Sequence, residues 1–296
     1  LTSEKKKIKL RAYLLLLPAF LITLSLMVYP LFMTFDLSFR IGHSMSFQSI
    51  GELPYGLGNY TQVLQNDQTW ESLAKSLIYT VSSTLSGFVL GLCTALLLNK
   101  LGKFKRLIRI LTLLPWAVPG VIAAVVFLWM LDPSYGVVNY FLRKLGVISK
   151  NVSWFFDPQL AMFSVVLPTV WKGYPFFTLT ILASLQGIPE TYYEAARVDG
   201  ASVLKLFRYI TWPGIRIAAI LSIILNALWT FRVFDIIFPI TAGGPMGATE
   251  TLAIRIYNEA FRFYQMGKAS TLGILTLFIC AVFVSLLYPL MKKRFY

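Results

Sequence analysis

The 296-residue sequence contains only two cysteines, one histidine and 13 acidic residues. Cys93 and Cys280 each sit in an apolar stretch without a second ligand at metal spacing, so neither a disulfide scaffold nor a zinc module is expected. The lone histidine, His43, stands among loop-like residues with no partner for general-base chemistry. It reads as a surface residue, and no metal site and no catalytic residue is expected. Charge is scarce as well: charged residues make up 14% of the chain, against about 25% in an ordinary globular domain. Hydrophobic residues make up 57%, and the mean hydropathy is +0.68. That much apolar surface excludes disorder and argues against a soluble nucleic-acid binder, although the net charge is +14.

A hydrocarbon core of about 30 Å is crossed by roughly 20 apolar residues in a helix. Six runs of that kind occur, at 11–38, 76–99, 107–131, 159–186, 215–237 and 269–291. The stretch from Val121 to Met130 has no two-residue alternation, which excludes a barrel. The first run follows Lys5, Lys6, Lys7, Lys9 and Arg11, as a signal peptide would, but it is too long and lacks a small-residue cleavage site. It reads as a retained span. The expected fold is therefore an all-α membrane protein of about six transmembrane helices. Residues 1–10 form an N-terminal segment, 11–291 the membrane domain and 292–296 a C-terminal tail.

Basic residues concentrate on the cytoplasmic side of membrane proteins. Placing both termini and the connections 100–109 and 187–216 on one side gathers 17 of the 27 basic residues there. The expected topology has both termini in the cytoplasm. The outer connections, 40–75 and 132–158, are rich in Gly, Pro, Asn and aromatic residues, with Pro54, Gly56 and Gly58 punctuating the first.

The connection 187–213 reads as two short helices on the cytoplasmic face. Pro189 opens a turn, Thr191 and Glu194 have the spacing of a capping box, and Asp199-Gly200 supplies a stop. Ser202 would cap a second helix running to Ile210, ended by Trp212-Pro213. Ala195 and Ala196 give the first helix a thin face that another backbone can approach closely.

The string Glu194-Ala195-Ala196-x-x-x-Gly200, followed after nine residues by Ile210-x-x-Pro213, resembles the coupling-loop signature of ABC importer permeases. Trp212 stands where that signature usually has Leu, which keeps an apolar contact. The resemblance implies a helix that docks into a cleft on a cytoplasmic ATPase. Glu194 would be the charged contact, Ala195, Ala196 and Gly200 the close-approach surface, and Asp199, Ile210 and Pro213 the rest of the loop. A second stretch runs from Phe234-Asp235-Ile236-Ile237 through Thr241-x-Gly243-Gly244-Pro245 to Thr249-Glu250-Thr251-Leu252, with Tyr257 and Ala260-Phe261 beyond. It is similar to the outer loop of maltose-type carbohydrate importer permeases, of the first-type subunit, as are Trp171-Lys172 and Leu185-Gln186-x-Ile188-Pro189. On that resemblance Gly243, Gly244 and Pro245 belong to a loop on which an extracytoplasmic solute-binding protein docks.

A phosphate-cradling loop needs G-x-x-x-x-G-K-[ST]. Gly267-Lys268 is followed by Ala269, and Arg262 stands where the first glycine should be, so the motif fails. The chain is expected to be no enzyme and to hold no cofactor. The resemblance then implies a second permease chain and two ATPase subunits that bind ATP and Mg, all set in or against the lipid bilayer of a bacterial cytoplasmic membrane.

Ionisable groups deep in a bilayer cost at least about 2.5–3.5 kcal/mol each and normally face the bundle interior or water. Lys172 lies halfway along the fourth run, where Pro168, Gly173 and Pro175 would weaken the helix, and Trp171 and Tyr174 beside it offer aromatic faces for sugar rings. Asn226, Trp229 and Thr230 have helical spacing and share a face of the fifth run. Arg232 and Asp235, three apart, can pair near its outer end. These eight residues are the candidate solute pathway. For Lys172 the alternative is a buried pair that only holds helices together. The expected activity is alternating access for an oligosaccharide, an acidic one being favoured slightly by Lys172 and Arg232. The competing readings are an ABC permease for another solute, such as a polyol phosphate or a polyamine, and an ion-coupled secondary transporter. The last would call for intramembrane acids, and those in this chain lie near span ends or in loops.

Overall fold

A computed structural model describes residues 2–42, 51–101 and 105–292; His43, Lys103, Lys293 and Arg294 lie outside the described residues. Helix α1 (2–38) joins Thr2–Thr23, a π-turn at Leu24–Val28 and Tyr29–Ser38, so the basic N-terminal segment is helical in continuity with the first span. After α2 (Gly58–Gln65) comes α3 (Asp67–Lys100), which starts earlier than the apolar run because Asp67 favours a helix N-terminus. The run 107–131 is not one straight helix. It forms α4 (Lys105–Ala117) and α5 (Gly120–Met130), bent by 94°. Pro119 supplies no N–H and pushes Val118 out of the helical region, which breaks the ladder there.

Helix α6 (Val137–Lys144) lies in the next connection, and α7 (Ala161–Gln186) follows. Helix α7 runs unbroken through Pro168 and Pro175, contrary to the expected weakening. Thr178 donates its hydroxyl to the Tyr174 carbonyl at 3.0 Å, beside the site where Pro175 removes a backbone donor. Then come α8 (Glu190–Val198) and α9 (Val203–Thr230). The second short helix expected to stop at Trp212-Pro213 instead continues into the fifth span. A π-turn at Phe207–Thr211 bonds the Trp212 N–H to the Phe207 carbonyl, and Pro213 then sits where a first-turn proline is tolerated. Helix α9 ends at Thr230, short of the expected 237, and α10 (Ile237–Thr241), α11 (252–262) and α12 (Met266–Lys292) complete the chain. Five of the described helices are long and apolar enough to cross a membrane, or six if the bent pair counts as one. Among the described residues the only β-structure is an isolated bridge, Arg40 to Tyr55.

Two compact units form. One comprises residues up to Asp67 with Ile256–Ile279. In it the end of α1 is tied down by side chains. Arg40 Nε donates to Asp36 at 2.8 Å, and the Tyr55 hydroxyl donates to the other Asp36 oxygen at 2.7 Å, which pushes the Tyr55 phenol above its ordinary pKa. The Asn59 amide donates to the carbonyls of Ser38 (3.0 Å) and Arg40 (2.8 Å), and Gly267 is needed because any side chain there would collide with Asn59.

The other unit comprises Gln68–Arg255 and the residues from Cys280 on. Its core has two apolar clusters, one around Tyr79, Ala124, Val165, Ile237 and Ile254, the other around Leu98, Phe177, Ile181, Leu185 and Ile215. Helix α3 turns its small and hydroxyl residues inward. Ser72, Ser76, Tyr79, Thr80, Ser83, Thr84, Gly87 and Gly91 are buried at helical spacing, while Leu77, Ile78, Val81, Leu85 and Val89 are exposed. This inversion suits a bilayer, where lipid takes the bulky apolar groups and small residues let helices approach. A Cβ at Gly91 would lie 2.9 Å from the Tyr174 carbonyl and 3.0 Å from the Thr178 nitrogen, so α3 crosses α7 at backbone contact.

Candidate functional site: coupling helix, polar pathway and outer loop

Helix α8 displays the residues expected to contact a partner ATPase. Its N-cap is Pro189, which makes no side-chain cap bond, and the helix starts at Glu190. Thr191 is therefore inside the helix, and the expected capping box with Glu194 does not form. The C-terminus closes as a Schellman motif: Ala201 N–H bonds the Ala196 carbonyl at 2.9 Å, Gly200 N–H bonds Arg197 at 3.1 Å, and Gly200 adopts φ +73°. No heavy atom lies within 4 Å of where a Gly200 Cβ would stand. Glu194, Ala195, Asp199 and Gly200 are exposed and Ala196 is half-buried, so the motif presents one accessible surface. Ile210, half-buried, and Pro213, exposed, lie on α9 behind it.

Three contacts the sequence did not announce tie α8 and the end of α7 to α9, the first from α8 itself. The Tyr193 and Thr211 hydroxyls are hydrogen-bonded at 3.1 Å, the Ser184 hydroxyl donates to the Gly214 carbonyl at 3.1 Å, and Ile188 packs where a Gly214 side chain would be. A cavity of about 740 Å³ lies among Ser184, Ile188, Pro189, Tyr192, Tyr209 and Pro213.

The pathway candidates divide into groups. Asn226 is buried, and its Oδ1 accepts the hydroxyls of Thr84 (3.2 Å) and Thr230 (3.3 Å), while its Nδ2 faces Gly173 of α7, 3.6 Å from where a Cβ would be. Trp229 lies on a more exposed flank of α9, with its ring 5.0 Å from Phe176 edge to face. Trp171 packs against Phe127 at 5.8 Å. Lys172 and Tyr174 are half-buried, and Lys172 has no ion pair among the described residues. The expected Arg232–Asp235 pair is absent. Helix α9 has already ended at Thr230, so the two are not on successive turns. Arg232 Nε donates to the Leu228 carbonyl at 3.3 Å, and Asp235 sits against the N-terminus of α5, where a side chain in place of Gly120 would collide with its carboxylate. Thr84, Phe127 and Phe176 were missed. The hydroxyl stripe of α3 was the signal for Thr84.

The Gly243-Gly244-Pro245 loop is held by its own hydrogen bonds. The Thr249 hydroxyl donates to the Gly244 carbonyl at 2.8 Å and pairs with the Thr241 hydroxyl at 2.6 Å, and Thr249 N–H bonds the Gly243 carbonyl at 3.1 Å. Ala242, Gly243, Met246 and Gly247 have positive φ, and the Gly244–Pro245 bond is cis. Met246 at the tip is 93% exposed. The loop's end is anchored on α3, where Leu252 N–H donates to Ser76 at 2.8 Å and Arg255 to Gln68 at 3.2 Å.

Residues 87–295 match the family model described as the binding-protein-dependent transport system inner membrane component. The chain belongs to this family. The permease is 38% identical over 280 residues to the trehalose/maltose transport system permease protein MalF of Thermococcus litoralis, covering 93% of this chain and 91% of that one. It is 34% identical to the sulfoquinovosyl glycerol transport system permease protein SmoG of Agrobacterium fabrum (95% and 89% covered) and 33% identical to the diacetylchitobiose uptake system permease protein DasB of Streptomyces coelicolor (91% and 83%). Its fold matches a chain in the crystal structure of a bacterial ABC transporter that imports the acidic polysaccharide alginate, with a TM-score of 0.83, 21% identity and 99% of each chain covered. The permease is a multi-pass protein of the inner membrane.

Proposed function

We propose that the permease is the membrane subunit of an ATP-driven carbohydrate importer that works by alternating access. The exposed helix Glu190–Val198, closed at Gly200 and joined to α9 through Tyr193 and Thr211, carries this reading. It is a short rigid element suited to a cleft on a separate ATPase. Two such ATPase subunits, which bind ATP and Mg, and a second permease chain would complete the pathway. The solute-binding protein would dock on the opposite face, at the loop bearing Gly243, Gly244 and Pro245. Both termini and α8 then face the cytoplasm, in keeping with the 17 basic residues gathered there.

The solute class rests on relatives named for trehalose and maltose, diacetylchitobiose and sulfoquinovosyl glycerol. Aromatic rings at Trp171, Tyr174 and Trp229, with the amide of Asn226 and the hydroxyl of Thr230, supply the stacking faces and hydrogen-bonding groups that a saccharide needs. Lys172, Arg232 and Asp235 add charge along the route.

The test is Glu194→Lys in the transporter reconstituted with its partners. Solute uptake per ATP hydrolysed should fall while membrane insertion is unchanged. Normal coupling would exclude Glu194 from the docking surface.

A further inference from the structure

The connection between α5 and α7 builds a bowl that the transport reading does not use. Asp132 Oδ1 accepts the N–H groups of Ser134 (2.7 Å) and Tyr135 (3.2 Å), and Gly136 fits where a Cβ would lie 2.6 Å from the Asp132 nitrogen and 2.8 Å from the Met130 carbonyl. Buried Asn139 pins α6 to the far side of the loop. Its Nδ2 donates to the Val152 carbonyl at 3.0 Å, and its Oδ1 accepts Val152 N–H (3.2 Å) and Trp154 Nε1–H (3.1 Å). Asn151 Nδ2 donates to the Pro133 carbonyl at 2.7 Å. The open cavity so framed measures about 480 Å³, within the range of small-molecule sites.

Its lining has a definite chemistry. Arg143 and Lys144, in the last turn of α6, are both exposed to the cavity and form no ion pair among the described residues. Arg143 makes one long contact, 3.5 Å to Asn151 Oδ1, which leaves most of its five donors open. No carboxylate lines the bowl, and that of Asp132 nearby is engaged in capping. Tyr135 and Tyr140 stand on the rim with 70% and 61% of their surface exposed. Two cations, unused donors and two open aromatic rings call for an oxygen-rich anion that also has flat C–H faces.

We infer that this bowl binds the charged end of an acidic oligosaccharide, one bearing a carboxylate or sulfonate. Arg143 and Lys144 would hold the anion and Tyr135 and Tyr140 would stack on its sugar rings. The bowl follows directly on α5, whose other end meets Asp235. The 11 residues of that helix set the bowl roughly 16 Å along the axis from Asp235, while Phe127, nearer the bowl's end of α5, packs against Trp171. An oligosaccharide of a few rings held there would reach toward the pathway. The assignment rests on the carbohydrate-permease reading for the solute's delivery, but binding at the bowl needs neither ATP nor a coupling helix.

The experiment titrates the complete transporter in nanodiscs with trigalacturonate and, separately, with the neutral maltotriose, read by saturation-transfer NMR and calorimetry at low and high salt. Trigalacturonate should bind saturably and lose affinity as salt rises, and maltotriose should bind at least about tenfold more weakly. The R143E/K144E variant should lose about tenfold or more of the trigalacturonate affinity, and R143K/K144R should keep most of it. Both residues are exposed, so the variants should assemble normally. Absence of saturable trigalacturonate binding, or equal affinity in R143E/K144E, overturns the assignment. It is also overturned if charge reversal weakens only the association with the solute-binding protein, since the bowl is then a protein contact. Carbohydrate uptake by proteoliposomes is measured alongside. Pocket binding without any carbohydrate uptake would leave the bowl standing and sink the importer reading instead.

Discussion

Replacing Gly200 with alanine and, separately, with asparagine distinguishes the turn's geometry from the surface it presents. Gly200 has φ +73°, and no heavy atom lies within 4 Å of its Cβ position, so an added methyl meets nothing in the chain. The cost of alanine is therefore conformational, about 1–2 kcal/mol for an L-residue in the left-handed region, or about a 5- to 30-fold shift toward an open turn. Asparagine tolerates that region far better and costs less. In the reconstituted transporter, Gly200→Ala should raise amide exchange at Gly200 and Ala201, whose N–H groups close the motif, and lower uptake per ATP. Gly200→Asn should leave exchange near the wild-type rate but still lower coupling, because its side chain projects into the surface offered to the ATPase. Unchanged exchange in the alanine variant would refute the account of the turn. Wild-type coupling in the asparagine variant would show that no partner approaches residue 200 closely.

The other expectations concern the interior and the outer loop. Asn226→Leu leaves the Thr84 and Thr230 hydroxyls without their acceptor, at a cost of about 1–3 kcal/mol, and should lower both the thermal midpoint and solute-dependent uptake. A variant with normal melting and uptake would remove Asn226 from both roles. Gly91→Val forces a side chain between α3 and the α7 backbone and should destabilise the purified protein by about 1–3 kcal/mol or more in a melting assay. Thr249→Val removes the bonds to Gly244 and Thr241 and should loosen the outer loop, read as faster exchange at Glu250 and weaker capture by the solute-binding protein. The purified chain alone should hydrolyse no ATP in a phosphate-release assay, and turnover without partner subunits would contradict its role as a membrane subunit.

Hydropathy made the spans legible, because length and apolar content are direct consequences of bilayer thickness. It failed where backbone chemistry intervenes. Pro119 breaks one apolar run at 94°, whereas Pro175 and Pro213 leave their helices continuous, one beside the Thr178 hydroxyl and the other after a π-turn. The pattern of prolines alone does not distinguish these outcomes. Helical spacing likewise suggested the Arg232–Asp235 pair, which presumes a helix that has in fact ended at Thr230. The helix carrying Glu194 and its stop at Gly200 were legible because a short helix with a glycine stop is local in sequence. The partners of Asn226 were not, since Thr84 lies 142 residues away, although the inward hydroxyl stripe of α3 marked the helix on which to look.

Helix α9 is continuous from Thr211, where the Tyr193 hydroxyl of α8 is hydrogen-bonded to it, to the buried Asn226. Fifteen residues at about 1.5 Å each make that stretch a lever of about 22 Å. A tilt of about 5° at the Thr211 end displaces Asn226 by about 2 Å, and that is enough to break its 3.2 Å bond from Thr84. On the proposed coupling role of α8, a few degrees of movement imposed there would release the Asn226 amide from its Thr84 partner.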